Sequence, residues 1–250
     1  VGERVVLIDT KDRRYLITLA EGGEFHSHTG ILDHDELIGG AEGREVRSSR
    51  GMRFVVWRPT LSDFVLKMPR GAQVIYPKDL GPLLLLADIF PGARVFESGI
   101  GSGALSTALL RAGAHITGYE LRADFAARAR ANVADFLGEA ALERYDVHER
   151  DSYAGIDHDG FDRMVLDLPE PWQLVKHAES ALRPGGILVA YTPSITQVMH
   201  LREVLVTSRF DMADTLEVLQ RGWHVEGQAV RPDHRMVAHT GFLTQARLRA

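Results

Sequence analysis

Val95-Phe96-Glu97-Ser98-Gly99-Ile100-Gly101-Ser102-Gly103 is the stretch whose reading decides the fold. An apolar run with an acid near its end passes through three alternate glycines into Ala104–Arg111, which has a helical pattern. A strand that turns through glycines into a helix brings the backbone close to a ligand and aims amide N–H groups at it. Upstream, Leu80–Phe90 reads as a helix with Asp79 as N-cap. Downstream come strand His115–Glu120, helix Phe125–Leu137 with Asp124 as N-cap, and strand Asp146–Arg150. Strand Arg163–Asp167, helix Pro171–Leu182, a Pro184-Gly185-Gly186 turn, strand Ile187–Tyr191 and helix Ile195–Ser208 follow. A long final β-pair spans roughly Thr215–Val225 and Met236–Arg249. Alternating strands and helices predict an α/β, doubly wound sheet with an antiparallel edge, its binding crevice outside the strands' carboxyl ends.

The first 60 residues differ. Short β-like runs at Val5–Ile8, Tyr15–Leu19, Glu24–Ser27, Arg44–Ser48 and Phe54–Arg58 are split by Gly22-Gly23, Gly39-Gly40 and Arg50-Gly51. The expected organisation is a small β-domain over 1–60, a linking helix and loop over 61–78, and the α/β domain over 79–250.

The composition excludes several classes. With 250 residues, 45% apolar and 25% charged, the chain is long and apolar enough for a globular enzyme. Its greasiest run, Leu83–Phe90, is far too short to cross a membrane. The absence of cysteine removes disulfides, zinc-thiolate sites and a catalytic thiol together, and with no secretory pattern at the start it points to the cytoplasm. His26, His28, Asp33, His34 and Asp35 cluster, but without the spacing of a metal site, so no metal is expected.

The glycine loop alone is ambiguous, because Gly99, Gly101 and Ala104 also satisfy a dinucleotide fingerprint. The acids break the tie. Glu97 at the strand end repels a pyrophosphate but suits an ammonium group, and Glu120, ending the next strand, suits the two hydroxyls of a ribose. A phosphate-free nucleoside with an amino-acid tail meets both demands, which is S-adenosylmethionine. Asp151 and Ser152, after the third strand, stand where an adenine ring would lie, though an ordinary loop aspartate fits equally well. Asp167-Leu168-Pro169-Glu170-Pro171-Trp172 sets a carboxylate at the crevice mouth beside a proline-stiffened loop. Such a carboxylate is suited to orienting an adenine through N6–H while N1 is methylated, and to balancing the cation that forms.

Leu66-Lys67-Met68-Pro69-Arg70-Gly71-Ala72-Gln73-Val74-Ile75-Tyr76-Pro77-Lys78-Asp79, the loop Glu97–Leu105 and Asp167–Trp172 together resemble the tRNA (adenine-58-N1)-methyltransferase family, including actinobacterial members. The similarity continues through Leu219–Trp223, Arg231–His234 and His239–Leu243. It also includes His28-Thr29-Gly30 and His34–Gly39, and so covers essentially the whole chain. The resemblance implies a class I, Rossmann-like, S-adenosylmethionine-dependent domain behind the β-domain, tRNA as partner, and a homotetramer. It implies that Ser102, Gly103, Ala104 and Leu105 line the methionine end of the cofactor and that Glu120 takes the ribose. It places Asp151 and Ser152 on the adenine side, Asp167 at the target base and Tyr76 near the reacting ring. Ser98-Gly99-Ile100 departs from the family's small-residue form, which puts the bulk of Ile100 in question for cofactor affinity. The alternatives are a methyltransferase acting on an exocyclic adenine amine or a protein carboxylate, and a non-catalytic tRNA-binding paralogue. A basic tRNA-facing surface is also implied, and a net charge of −5 does not show where it lies.

Overall fold

The structure, a computed structural model, describes residues 2–71 and 73–250. Val1 of the β-domain and Ala72 of the Leu66–Asp79 motif lie outside the described residues. The chain divides into two compact units, Val1–Met68 and Pro69–Ala250.

The first unit contains β1 (Arg4–Asp9), β2 (Arg14–Thr18), β3 (Glu24–Ser27), β4 (Gly30–Asp33), β5 (Glu45–Arg47), β6 (Arg53–Trp57) and α1 (Leu61–Lys67). Four strands form an antiparallel sheet in the order β2-β1-β6-β5, and β3 pairs with β4 as a separate hairpin. Period-two alternation buries Val5, Leu7, Phe54 and Val56 against Leu19, Leu32 and Leu37. The helix assigned from sequence to the linker groups instead with this unit. Thr60 caps it in a reciprocal box with Asp63, and Arg14 on β2 donates to the Asp63 carboxylate at 2.7 Å. Strand β4 is absent from the sequence reading because four residues after a tight turn carry almost no periodic signal; the turn is His28-Thr29, closed by Gly30 at φ +115°.

The second unit runs α2 (Pro77–Leu86), β7 (Arg94–Ser98), α3 (Ala104–Arg111), β8 (His115–Glu120), α4 (Ala123–Leu137), β9 (Tyr145–Glu149), β10 (Phe161–Leu166) and α5 (Val175–Ala181). It ends with β11 (Leu182–Thr192), α6 (Ile195–Val206), β12 (Phe210–Glu217), β13 (Trp223–Glu226), β14 (Ala229–Pro232) and β15 (Phe242–Leu248). The seven-stranded sheet has the order β12-β15-β11-β10-β7-β8-β9, with β15 antiparallel to both its neighbours. The order reverses between β7 and β10, and a ligand crevice is expected at that switch point. Phe96, Met164, Leu166, Leu188 and Ala190 are fully enclosed, as strands covered on both faces must be.

Three local expectations need correction. The long final β-pair is four strands: β13 and β14 form their own two-stranded ribbon between β12 and β15. Helix α2 starts at Pro77 with Tyr76 as N-cap, so Asp79 lies inside it and is completely buried. Helix α4 is entered from Arg122, and Asp124 sits in its first turn, where a carboxylate still favours the helix dipole.

Candidate active site

The glycine loop joins β7 to α3 and is built from residues that tolerate left-handed backbone. Gly99, Gly101 and Gly103 have φ of +83°, +55° and +81°. Gly99 is needed twice over: a Cβ there would also strike the backbone carbonyl of Asp167. Strands β7 and β10 pair in parallel with Ser98 opposite Leu166, and the Asp167 amide donates to the Ser98 carbonyl at 2.9 Å. The two loops singled out from sequence therefore touch.

They open onto a cavity of about 580 Å³, within the usual size range of small-molecule sites. Gly99, Gly101, Glu120, Asp167, Leu168 and Gln197 are among its walls. Glu120 bridges the loop, accepting from the Gly101 amide and the Arg122 amide, each at 3.0 Å. Beneath the loop Glu97 is completely buried: Ser106 donates to its Oε1 at 2.9 Å, and Tyr145 donates to Ser106 at 2.8 Å. Burial, joined by the nearby Asp167 and Glu120 charges, pushes the Glu97 carboxyl up to about 8 against the pull of the Ser106 hydroxyl. Asp167 keeps some surface toward the cavity, yet the atoms packed around it desolvate its carboxyl and push it up to about 7. The loop after it is tied down, with Gln197 donating to the Pro169 carbonyl at 2.7 Å and the Glu170 amide donating to the Tyr153 hydroxyl at 3.1 Å.

A family model described as the tRNA methyltransferase complex GCD14 subunit matches residues 53–233, and a TrmI-like N-terminal model matches residues 1–46. The chain belongs to this tRNA methyltransferase family. It is 37% identical to the tRNA (adenine(58)-N(1))-methyltransferase TrmI of Thermus thermophilus, over 97% of this chain and 96% of that protein. A solved Thermotoga maritima structure, described as a SAM-dependent O-methyltransferase, is 30% identical with a TM-score of 0.95, covering 100% of this chain and 94% of that one. The tRNA (m1A58) methyltransferase TrmI of Aquifex aeolicus is 28% identical with a TM-score of 0.88, covering 100% and 98%.

The donor set fits the cofactor of such a family. Glu97 Oε2, beneath the glycine loop, and the Ser102 hydroxyl within it are buried with no hydrogen-bond partner among the described residues. Such atoms cost stability unless a ligand satisfies them. Three carboxylic acids around one loop suit a cation and repel a pyrophosphate. The cation at the rim, Arg122, is already bonded to Asp124 at 2.8 Å.

The residues named from sequence fall into three groups, apart from Tyr76, which is the N-cap of α2 and is not among the residues of the cavity wall. Gly99, Gly101, Glu120 and Asp167 meet on the cavity wall. Glu97, Ser102, Ala104, Leu105 and Ser152 form a buried layer, with Ser98 donating to the Ser152 hydroxyl at 2.8 Å and Gly103 capping α3. Asp151 is exposed, and one of its carboxylate oxygens accepts the Tyr153 amide at 2.9 Å as the cap of a short turn. Ile100 does not reach the cavity wall: it is buried against Gly118 on β8, where a Cβ would leave its Cδ1 only 2.6 Å away. The missing side chain at Gly118 accommodates the extra bulk.

Tyr191, at the carboxyl end of β11, escaped the sequence reading. Its hydroxyl donates to the Thr240 carbonyl at 2.6 Å, and burial pushes it up to about 12, with Asp79, Asp167 and Tyr76 all close enough to add to the rise. Thr240 in turn donates to Asp79 Oδ2 at 2.6 Å, while Lys78 donates to Asp79 Oδ1 at 2.8 Å and to the Val218 carbonyl at 2.6 Å. Lys78 and Asp79 thus tie α2 to the C-terminal segment. The position of Tyr191 at a strand's carboxyl end was the available signal.

Raised carboxyls give a pH dependence of definite sign. Unliganded, the fold holds protons on Glu97 and Asp167 that the unfolded chain would release. This contribution to stability is complete below about pH 4 and is lost as pH rises through about 7 to 8. An ammonium group held at Glu97 needs that carboxyl ionised, so the affinity of a cationic ligand should rise as pH approaches about 8, by up to about tenfold per pH unit for the one proton displaced. Calorimetry with S-adenosylmethionine between about pH 6 and 9 tests this, and Glu97→Gln should flatten much of the slope. An affinity independent of pH in the wild type would remove Glu97 from contact with the ligand.

Proposed function

We propose that the protein transfers a methyl group from S-adenosylmethionine to N1 of adenine 58 in the T-loop of tRNA. The observation that carries this reading is the junction of Gly99 with Asp167, which joins a loop suited to a phosphate-free cationic nucleoside to a desolvated carboxyl at the crevice mouth. The Thermus and Aquifex relatives, named as tRNA adenine-58 N1-methyltransferases, supply the target.

In this reading Glu97 receives the ammonium of the cofactor. Glu120 receives its ribose while bracing Gly101, and Ser102 to Leu105 hold the methionine end. Asp151 and Ser152 border the adenine side. The bound cofactor supplies a sulfonium methyl for transfer to a nucleophile. Asp167 accepts N6–H of the target base, holding N1 in line, and balances the positive charge as the ring is alkylated. An aspartate is ordinarily too weak a base for an adenine amine. Raised to about 7, the Asp167 carboxylate is well matched to take the N6 proton once N1 methylation has acidified it. In the same reading Tyr76 and Tyr191 border the target base, and the Tyr191 hydroxyl is held by the Thr240 carbonyl.

Incubation of an unmodified tRNA transcript with protein and S-adenosylmethionine, followed by nucleoside mass spectrometry against standards, tests the reading. The expected product is 1-methyladenosine, abolished when adenine 58 is replaced. N6-methyladenosine would show an exocyclic amine as the target. A base-labile methyl ester on protein would favour the oxygen-methylating chemistry named for the Thermotoga structure.

The proposal includes a homotetramer working in the cytoplasm. Ribbon β13–β14 exposes Trp223, Val225 and Val230 by 59%, 69% and 58%, and an isolated two-stranded ribbon is marginal in water. A second copy of the chain covering it accounts for both. Among the described residues, no helix is long and apolar enough to cross a membrane. Light scattering at micromolar concentration should give four times 27.7 kDa, and a Trp223→Glu variant should dissociate. A wild-type monomer would sink the assembly.

A further inference from the structure

Residues 1–68 carry ten basic and eleven acidic side chains and are close to neutral. Between Arg44 and Arg58, however, five arginines stand against the one acid Glu45, and Arg44, Arg47, Arg50 and Arg53 recur every third residue. Strands β5 and β6 fold this run into a hairpin that sets Arg47 directly opposite Arg53 in register. Like charges facing each other across a ladder destabilise it. Arg53 is relieved by Glu45 at 2.9 Å. Arg47 and Arg50 have no carboxylate partner among the described residues; Arg47 donates to the Gly51 carbonyl at 3.2 Å and Arg50 to the His28 carbonyl at 3.4 Å.

The turn that carries Arg50 is rigidly held. Ser48, 5% exposed, donates to the Thr29 carbonyl at 2.6 Å and accepts the Met52 amide at 3.2 Å. Ser49 is cross-bonded to Ile31 twice, through its own amide at 2.8 Å and through its hydroxyl at 3.0 Å. Arg47, Arg50 and Arg53 therefore project from a pinned hairpin into one groove of about 530 Å³, which Thr10 and Thr29 also line. The neighbouring acid Asp9 is buried and already engaged by the Lys11 and Arg13 amides and the Arg13 guanidinium. Guanidinium forks with hydroxyls beside them are the usual equipment for phosphate oxygens.

We propose that this groove, carried by Arg47, Arg50 and Arg53 in the first unit, binds the phosphodiester backbone of the tRNA substrate. The proposal rests on tRNA being the substrate. It accounts for RNA binding by a chain of net charge −5: the attraction is local, concentrated where two arginines oppose each other at a cost to the fold. It makes the first unit an RNA-positioning element without sequence preference.

The test uses the full chain and an unmodified tRNA transcript, with binding followed from about 50 to 200 mM salt. The Arg47→Gln/Arg50→Gln variant should bind tRNA at least about tenfold more weakly at the lower salt, with a log–log salt slope shallower by about two. KM for tRNA should rise accordingly while kcat and S-adenosylmethionine affinity stay at wild-type values. Its Tm should equal or exceed that of the wild type, since a like-charge pair has been removed; a purely structural role would lower it. Arg47→Lys/Arg50→Lys should recover most of the affinity, as point charges still meet phosphates. Lys176→Gln, an 88% exposed cation of the second unit, should change nothing. Should the double variant misfold, Arg50→Gln alone is measured, with half the change in slope. Unchanged affinity and slope in a folded variant overturn the proposal, as does an equal loss in Lys176→Gln. A wild type that forms no 1-methyladenosine refutes the functional reading instead; one that methylates tRNA alongside an unaffected variant refutes the groove alone.

Discussion

Asp167→Ala is expected to lower turnover by about 10²–10³ while leaving S-adenosylmethionine affinity nearly intact. The carboxyl lies at the mouth of the crevice, beside the glycine loop, and burial has raised it to about 7. Removing it takes away both the orientation of the base through N6–H and the negative charge that balances an alkylated ring. Asp167→Asn keeps the shape but not the charge and should recover little. In the wild type the rate should climb with pH through about 7 as Asp167 ionises, and this limb should vanish in the Asn variant. Single-turnover kinetics on tRNA, with calorimetry on the cofactor, separate the two effects. Full turnover in Asp167→Ala would refute the mechanism and leave the family membership untouched.

Gly99→Ala should be the most damaging one-carbon change in the site. At φ +83° an L side chain already costs roughly 1–2 kcal/mol. Its methyl would also drive into the Asp167 carbonyl, a backbone atom that cannot rotate away. Relief requires parting β7 from β10 at their carboxyl ends, which opens the cofactor loop. We expect a Tm lower by about 5–10 °C and cofactor affinity weaker by at least about 100-fold, read by thermal melting and calorimetry. Gly101→Ala is the comparison. It shares the positive φ but none of the described residues lies within 4 Å of its Cβ position, so it should show the backbone cost alone. Equal losses in the two variants would mean that contact with Asp167 contributes nothing.

Much of the architecture could be read from residue order. Strands β10 and β11 carry the apolar runs Met164–Leu166 and Ile187–Ala190, and the glycines that follow β7 are the residue type their φ values require. The failures share a cause, which is weak local signal. Strand β4 has four residues, and ribbon β13–β14 alternates too briefly and too exposed to show a buried face. Asp79 looked like an N-cap because aspartate before an apolar run is usually one; its real partners, Lys78 and Thr240, include one 161 residues away. Tyr191 reads as one more apolar residue in a strand until Thr240 is seen to hold its hydroxyl.

By itself the sequence determined the alternation of strands and helices, the strand–glycine–helix loop, and the acids Glu97, Glu120 and Asp167 at three strand ends. These follow from residue type and short-range spacing, because φ preference and side-chain period are local properties. Only the tertiary structure decided that Asp167 lies against Gly99, that Glu97 is enclosed and raised to about 8, and that Ile100 packs onto Gly118 away from the cavity wall. It alone set Arg47 opposite Arg53, since cross-strand register depends on the turn between them and on the strands they pair with. A carboxyl's affinity for its proton depends on how much water every surrounding atom excludes. That sum is taken over neighbours brought together by the fold, and no window of sequence contains them.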